Sequence, residues 1–174
     1  MLANLPVLKE ELEMKFDLFA VPFCVVGALM TGAAHAASTV LVSLQDDGRS
    51  LDLSKNLGMT MDRHPDMKLA PMSVKINVTE VSPGEMTFVV VNASKETVHE
   101  IILSPIKDEN VLLPYIDNEN RVDEEQAGHL GEVSELDPGK KGTLTVNLKP
   151  GSYILYCNIP GHYGAGMWTT LKVK

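Results

Sequence analysis

Short runs of alternating apolar and polar residues, separated by Pro-Gly turns, constrain the fold of this chain more than any other feature. Val74, Ile76 and Val78 alternate with polar neighbours, and the Pro83-Gly84 turn then leads into a second such run at 86–90. A period of two is typical of strands that bury one face. We expect further strands at Ser38–Leu44, His99–Leu103, Leu144–Leu148, Tyr153–Cys157 and Trp168–Val173.

About seven short strands without a long helical pattern predict an all-β, Greek-key β-sandwich. The exception is the stretch from Pro105 to Leu136, here called the acidic connection, in which acidic residues far outnumber basic ones. We expect one short helix in it near Val122 to Gly128. Charge runs usually form solvated surface, so we interpret the acidic connection as a solvated excursion rather than a dedicated docking face.

The length and charge of the chain restrict its class. A chain of 174 residues is long enough for one domain with a hydrophobic core and short for two. It carries 23 acidic and 15 basic residues, a formal charge of −8. A negative chain repels nucleic acid and anionic lipid surfaces, which excludes both as the main partner.

The N-terminus has the pattern of an export signal. Residues 18–45 contain no Asp, Glu, Lys or Arg, and the first half of this run is strongly apolar. Ala34-His35-Ala36 supplies the small residues that a cleavage site requires. We therefore predict a signal peptide over residues 1–36, cleavage after Ala36, a periplasmic location and no stable membrane association afterwards. A membrane anchor is the alternative, but Pro22 and Gly27 dilute the apolar run.

The residues before the apolar run suggest a different start. Residues 1–17 carry two lysines against four acidic residues, whereas the leading part of a signal peptide is normally positive. Translation from Met14 gives a more conventional leader, Met14-Lys15-Phe16-Asp17. We therefore take Met14 as a candidate true start. After the signal peptide, we expect an N-terminal strand with a flexible extension at 37–71 and a domain at 72–174.

Cleavage after Ala36 removes Cys24 and leaves Cys157 as a single cysteine. An exported domain with one cysteine has no internal disulfide, so the thiol is buried, reactive, intermolecular or bound to metal. Cys157 opens a C-x₄-H-x₄-M motif with His162 and Met167. His99 begins a strand just after Asn92 ends another, which makes His99 the candidate fourth ligand.

Two imidazoles, one thiolate and a weak thioether are the ligands of a blue-copper electron-transfer site. Zinc normally takes more thiolates or a carboxylate. The segments 72–104 and 136–174, including Tyr-Cys-Asn-Ile-Pro-Gly-His and Gly-Met-Trp, resemble the cupredoxin family. The ligand spacing is similar to that of rusticyanin and sulfocyanin, and the whole mature chain is similar to periplasmic cupredoxins of bacterial copper tolerance.

The resemblance implies a cupredoxin-like sandwich with one type 1 copper held by His99, Cys157, His162 and Met167. It also implies that His162 lies toward the surface and passes the electron, with an apolar rim at Pro160, Tyr163, Ala165 and Trp168. We place Asn92 and Glu100 around the ligands. Many cupredoxins have a small or amide-bearing residue where this chain has Glu100. The carboxylate either alters the surroundings of the Cys157 sulfur or points to solvent.

A second group of soft donors lies at Met59, Met61, His64 and Met67. Thioether and imidazole ligands suit Cu(I), so an additional Cu(I) site is one interpretation. The other is that these methionines fill gaps against the sandwich.

Two functions remain after these arguments. The first is a periplasmic electron carrier that cycles Cu(II)/Cu(I), is not an enzyme, acts as a monomer and exchanges electrons with a redox partner protein. The alternative is a copper-tolerance protein that sequesters or oxidises copper together with a copper-handling partner. A metal-free interaction domain would require the four ligands to be a coincidence.

Overall fold

The computed structural model describes residues 38–48, 72–108 and 112–174. These ranges contain eleven strands and one short helix, which confirms the predicted all-β class. The elements in chain order are β1 (Ser38–Asp46), β2 (Met72–Ile76), β3 (Glu80–Val81), β4 (Gly84–Asn92), β5 (His99–Ile106), β6 (Tyr115–Ile116), β7 (Arg121–Val122), α1 (Glu124–Ala127), β8 (Gly131–Leu136), β9 (Lys141–Leu148), β10 (Gly151–Tyr156) and β11 (Trp168–Val173).

The first sheet has four strands in the order β2-β1-β4-β9. β1 is an inner strand: it runs antiparallel to β2 and parallel to β4, with Leu44 opposite both Val74 and Asn92. The alternating apolar residues of β1 and β4 point to the same side of this sheet and are buried. Because β1 and β4 run parallel, their C-terminal ends, at Asp46 and Asn92, lie at the same end of the sandwich.

The second sheet has five strands in the order β3-β11-β10-β5-β8. Its inner residues pack against those of the first sheet in one core, which contains Val42, Phe88, Leu103, Leu155 and Leu171. β5 is buried without interruption from His99 to Ser104, because the acidic connection covers the outer face of this sheet. Alternation is therefore lost where both faces of a strand are covered.

The acidic connection is more structured than the solvated excursion that we predicted. It contains the β6–β7 hairpin, the expected short helix as α1, and β8, which pairs with β5. Leu113, Val122 and Ala127 are buried in a second apolar cluster with Ile154 and Tyr156. Burial of these few apolar residues holds the connection against the sheet, while most of its acidic side chains are exposed. In the sequence, these apolar residues are obscured by the many charged residues around them.

The N-terminal part of the predicted organisation is only partly within the described residues. The predicted signal peptide 1–36, the Met14 start and most of the 37–71 segment lie outside them, whereas β1 lies in the middle of the first sheet. Over the three described ranges, the structure has no helix with the length and apolarity needed to cross a bilayer.

Candidate metal centre

The Cys-His-Met motif occupies residues 157–167, here called the ligand loop, which joins β10 to β11. Backbone hydrogen bonds fold it back on itself: the Cys157 N–H donates to the Met167 carbonyl at 3.0 Å, and the Met167 N–H donates to the His162 carbonyl at 3.1 Å. Gly161 and Gly166 adopt positive φ angles of 84° and 89°, which L side chains rarely adopt. The loop therefore curls so that its side chains converge.

Three predicted ligands meet at this end of the sandwich. The Nδ1 atoms of His99 and His162 are 3.3 Å apart, and the Cys157 Sγ lies 3.3 Å from His162 Nδ1. One donor atom from each of these residues lies within 4.8 Å of the others. His99 and Cys157 are fully buried and His162 is 2% exposed. Three metal-binding atoms thus face one point that water does not reach.

Met167 is also fully buried, in the same apolar core as Cys157. Its place in the ligand loop is set by the paired backbones of Cys157 and Met167. The fourth predicted ligand therefore lies in the same loop and in the same buried core cluster as Cys157.

Asn92 braces the turn that leads into His99. Its side-chain amide donates to the carbonyls of Thr97 and Leu136, at 2.8 and 2.7 Å. Its oxygen accepts from the N–H and hydroxyl groups of Ser94. Asn92 thereby holds the start of β5 in place without contacting the three donor atoms.

Glu100 has two roles next to the sulfur. The pairing of β5 with β8 is irregular between His99 and Ile101, and the Glu100 N–H points to Cys157 Sγ at 3.5 Å. Its buried carboxyl group accepts a hydrogen bond from the Asn158 N–H at 3.2 Å. Burial, with the nearby charges of Glu124 and Glu132, raises the pKa of Glu100 to about 7.

Burial favours the uncharged form of each of the three donor groups when no metal is bound. Burial raises the pKa of the Cys157 thiol to about 12, and burial together with the neighbouring His99 lowers the pKa of His162 to about 4. Burial likewise lowers the pKa of His99. Two neutral imidazoles and a thiol that gives up its proton on binding suit a metal with a preference for nitrogen and soft sulfur, and copper meets that description.

Two expectations about the surface are wrong. His162 was expected to lie toward the surface, but it is buried because the ligand loop curls around it and its ring packs on that of His99, with centroids 5.1 Å apart. In the predicted apolar rim, Tyr163 and Ala165 are also buried, Trp168 is half-buried, and Pro160 is exposed. Tyr163 is drawn inward by the second apolar cluster.

Two residues around the site were missed by the sequence argument. The Asp46 carboxylate lies 3.3 Å from His99 Nε2, and the Asn158 side chain is bonded to Val122 in the acidic connection. In the sequence, Asp46 is only a polar residue at the end of an alternating strand. Its position next to His99 can be predicted only when the pairing of β1 with β4 is known.

The additional Cu(I) site predicted at Met59, Met61, His64 and Met67 lies outside the described residues.

We expect Glu100→Gln to alter how the stability of the metal-free protein depends on pH. Because the folded-state pKa of Glu100 is above its ordinary value, the folded chain binds the extra proton, and stability is lost as pH rises from 4.5 through about 7. Gln keeps the acceptor for Asn158 and removes this loss, so the variant gains about 1–3 kcal/mol relative to the unsubstituted chain between pH 4.5 and 8.

Urea unfolding of both metal-free proteins at the two pH values measures this difference, and contributions common to both chains cancel. Glu85→Gln, an exposed substitution of the same chemistry on β4, serves as the control. A stability difference between Glu100→Gln and the unsubstituted chain that stays constant with pH would contradict the prediction.

Known proteins resemble the chain both in sequence and in structure. A family model described as copper binding proteins of the plastocyanin/azurin family matches residues 59–174. No curated protein gives a significant match.

Three solved structures illustrate the likeness in fold. Rusticyanin from Thiobacillus ferrooxidans is 18% identical with a TM-score of 0.50, covering 80% of this chain and 79% of rusticyanin. A structure of reduced rusticyanin gives 19% identity, a TM-score of 0.50, and coverage of 80% and 81%. Dithionite-reduced auracyanin from Roseiflexus castenholzii gives 20% identity, a TM-score of 0.47, and coverage of 80% and 98%. The likeness to rusticyanin supports the sandwich fold.

Proposed function

Because the chain belongs to the plastocyanin/azurin family of copper-binding proteins, we propose that it is a type 1 copper protein that carries single electrons. The observation that carries this proposal is the convergence of one buried thiol and two buried imidazole nitrogens within 4.8 Å. This donor set has the composition of a type 1 site and contains no carboxylate.

We assign His99 Nδ1, Cys157 Sγ and His162 Nδ1 as the strong ligands, and Met167 as the weak fourth ligand. Bound copper supplies a Cu(II)/Cu(I) couple that stores one electron. The protein contributes a rigid, dry set of ligands that are close together before metal arrives, so little rearrangement accompanies a change of charge. With four ligands from the chain, no open position is left for a substrate, and we propose a carrier rather than an enzyme.

Cupredoxins generally transfer electrons to redox partner proteins, and we propose that this chain does so as a monomer. With both histidines buried, the partner approaches over the exposed Pro160 of the ligand loop and the half-buried Trp168 that follows the loop. Asp117, Glu119 and Glu125 are exposed on the acidic connection and favour a basic partner. Attraction of this kind weakens as salt screens the charges.

We expect the mature chain to bind one copper tightly and to undergo reversible one-electron reduction. Titration of the metal-free protein with Cu(II), followed by voltammetry, measures both stoichiometry and potential. Met167→Leu removes the fourth ligand. Cu(II) loses more from a lower coordination number than Cu(I), which is stable with three ligands, so we expect a higher reduction potential while the stoichiometry stays at one. Met86→Leu, at a fully buried methionine of β4, is the matched control and leaves the potential unchanged. Absence of reversible reduction would refute the carrier.

We also propose export to the periplasm with cleavage after Ala36, on the basis of the uncharged apolar run and Ala34-His35-Ala36. N-terminal sequencing of the mature protein tests the cleavage position.

Copper tolerance is the second candidate function, favoured by the donors Met59, Met61, His64 and Met67. A deletion strain separates the roles: copper sensitivity with normal respiration supports tolerance, and a respiratory defect with normal tolerance supports the carrier.

A further inference from the structure

Asp46, the last residue of β1, places a carboxylate behind one of the histidines. Its Oδ2 atom lies 3.3 Å from Nε2 of His99, while the Nδ1 atom of the same ring faces His162. The His99 side chain is fully buried, and the Asp46 side chain is 10% exposed. The imidazole is therefore held between the carboxylate on one side and the donor cluster on the other.

The carboxylate is itself fixed in position. Its Oδ1 atom accepts a hydrogen bond from the Gly48 N–H at 3.0 Å. The side chain of Thr97 donates a further hydrogen bond to the same carboxylate. These contacts hold the Asp46 carboxylate in place against the ring.

A neutral imidazole carries one N–H group, and its environment decides which nitrogen holds the proton. With the proton on Nδ1, the lone pair of Nε2 would face the Asp46 carboxylate, and the N–H would point into the donor cluster. With the proton on Nε2, the ring donates to Asp46, and the lone pair of Nδ1 faces Cys157 and His162. The contact with Asp46 selects the second arrangement, which is the one able to bind metal.

We infer that Asp46 is a positioning residue for the copper ligand His99: it fixes the ring and its Nε2–H tautomer, and its charge favours Cu(II) over Cu(I). This inference rests on the proposed copper site. The Cys-His-Met motif itself contains no carboxylate. Asp46 comes from the first sheet and meets His99, which begins a strand of the second sheet. Carboxylates that hold metal-bound histidines in this way commonly change metal affinity 10–100-fold when removed.

Asp46→Asn and Asp46→Ala separate the charge of the residue from its hydrogen bond. Asparagine keeps an acceptor oxygen for Nε2 but loses the charge, so we expect the ratio of Cu(II) to Cu(I) affinity to fall about tenfold, equivalent to an upward shift of about 59 mV in potential. Alanine loses both, and we expect the Cu(II) affinity to fall about 10–100-fold. Glu85→Gln removes one charge at the opposite end of β4 and is the matched control, with both values unchanged.

A measurement without copper tests the tautomer directly. Nitrogen-15 NMR of the metal-free protein is expected to show the Nε2–H form of His99 in the unsubstituted chain and a mixture of the two forms in Asp46→Ala. Equal tautomer populations and equal potentials in the unsubstituted, Asp46→Asn and Asp46→Ala proteins would overturn the inference.

Failure of the copper proposal is distinguishable from failure of this one. If the unsubstituted protein bound no copper at Cys157, the carrier proposal would fall while the NMR result still reported on the contact between Asp46 and His99. If copper bound normally but both Asp46 variants matched the unsubstituted protein, the positioning role alone would be refuted.

Discussion

Cys157→Ser is expected to abolish the intense visible absorption of the copper-loaded protein and to lower its Cu(II) affinity by more than about 100-fold. The band arises from charge transfer between a thiolate and copper, and serine supplies neither a thiolate nor a soft donor. The buried Cys157 Sγ is one of the three converging donor atoms, and Cys157 is the one cysteine of the described residues, so no other thiolate there can replace it.

The variant is a test of chemistry rather than of folding. Serine is close to cysteine in size, and its oxygen can accept the hydrogen bond that the Glu100 N–H now directs to the sulfur. Circular dichroism and urea unfolding of the metal-free variant check that the fold persists. Cys24→Ser in the unprocessed chain is the matched control and leaves the band intact. Retention of the band in Cys157→Ser would place the copper elsewhere and remove the basis of the proposed function.

Asn158→Ala is expected to have the largest effect on stability among substitutions next to the ligands. The fully buried Asn158 side chain accepts from the Val122 N–H at 2.6 Å and donates to the Val122 carbonyl and to Glu124, at 3.0 and 2.7 Å. Alanine leaves both backbone groups of Val122 without these partners in a buried place. The expected loss is about 2–4 kcal/mol of unfolding free energy, since each unsatisfied buried group costs about 1–3 kcal/mol.

We expect Asn158→Ala to loosen the acidic connection even under conditions in which the rest of the protein stays folded. Asn158 follows Cys157 directly and ties the ligand loop to the acidic connection, so the connection loosens where Arg121 and Val122 are held. Trypsin is then expected to cleave after Arg121 more rapidly in the folded variant, and urea unfolding gives the loss of stability. Asn147→Ala, at an exposed position of β9, is the matched control. Equal cleavage rates in both variants would contradict this role for Asn158.

The sequence allowed the architecture and three converging donors to be predicted because both depend on local patterns. Alternation at 74–78 and 86–90 reports one buried face, and the spacing from Cys157 to His162 fits one tight loop. His99 was found from its place at a strand start. Asp46 was not found, because it reaches His99 through the pairing of β1 with β4, a non-local choice that no spacing encodes.

The same limit explains the errors at the surface. His162 was expected toward the surface because the family resemblance implies it, and Tyr163 was expected in the apolar rim around His162. The burial of Tyr163 depends on the acidic connection, whose Leu113, Val122 and Ala127 are separated in sequence and lie among charged residues. Only the assembled second cluster shows that these three residues cover the outer face of β5 and β10.

The inner position of β1 makes acquisition of copper a late event in the life of the chain. β1 comes first among the described strands, yet Val42 pairs with Val90, 48 positions later, and Asp46 meets His99 at a separation of 53. Such distant pairings form slowly, because the intervening loop must close before the contacts stabilise it. Cys157 and His162 come later in the chain than both of these pairings. A half-folded chain therefore lacks the complete donor set, and metal uptake marks chains in which β5 and the ligand loop have already been brought together.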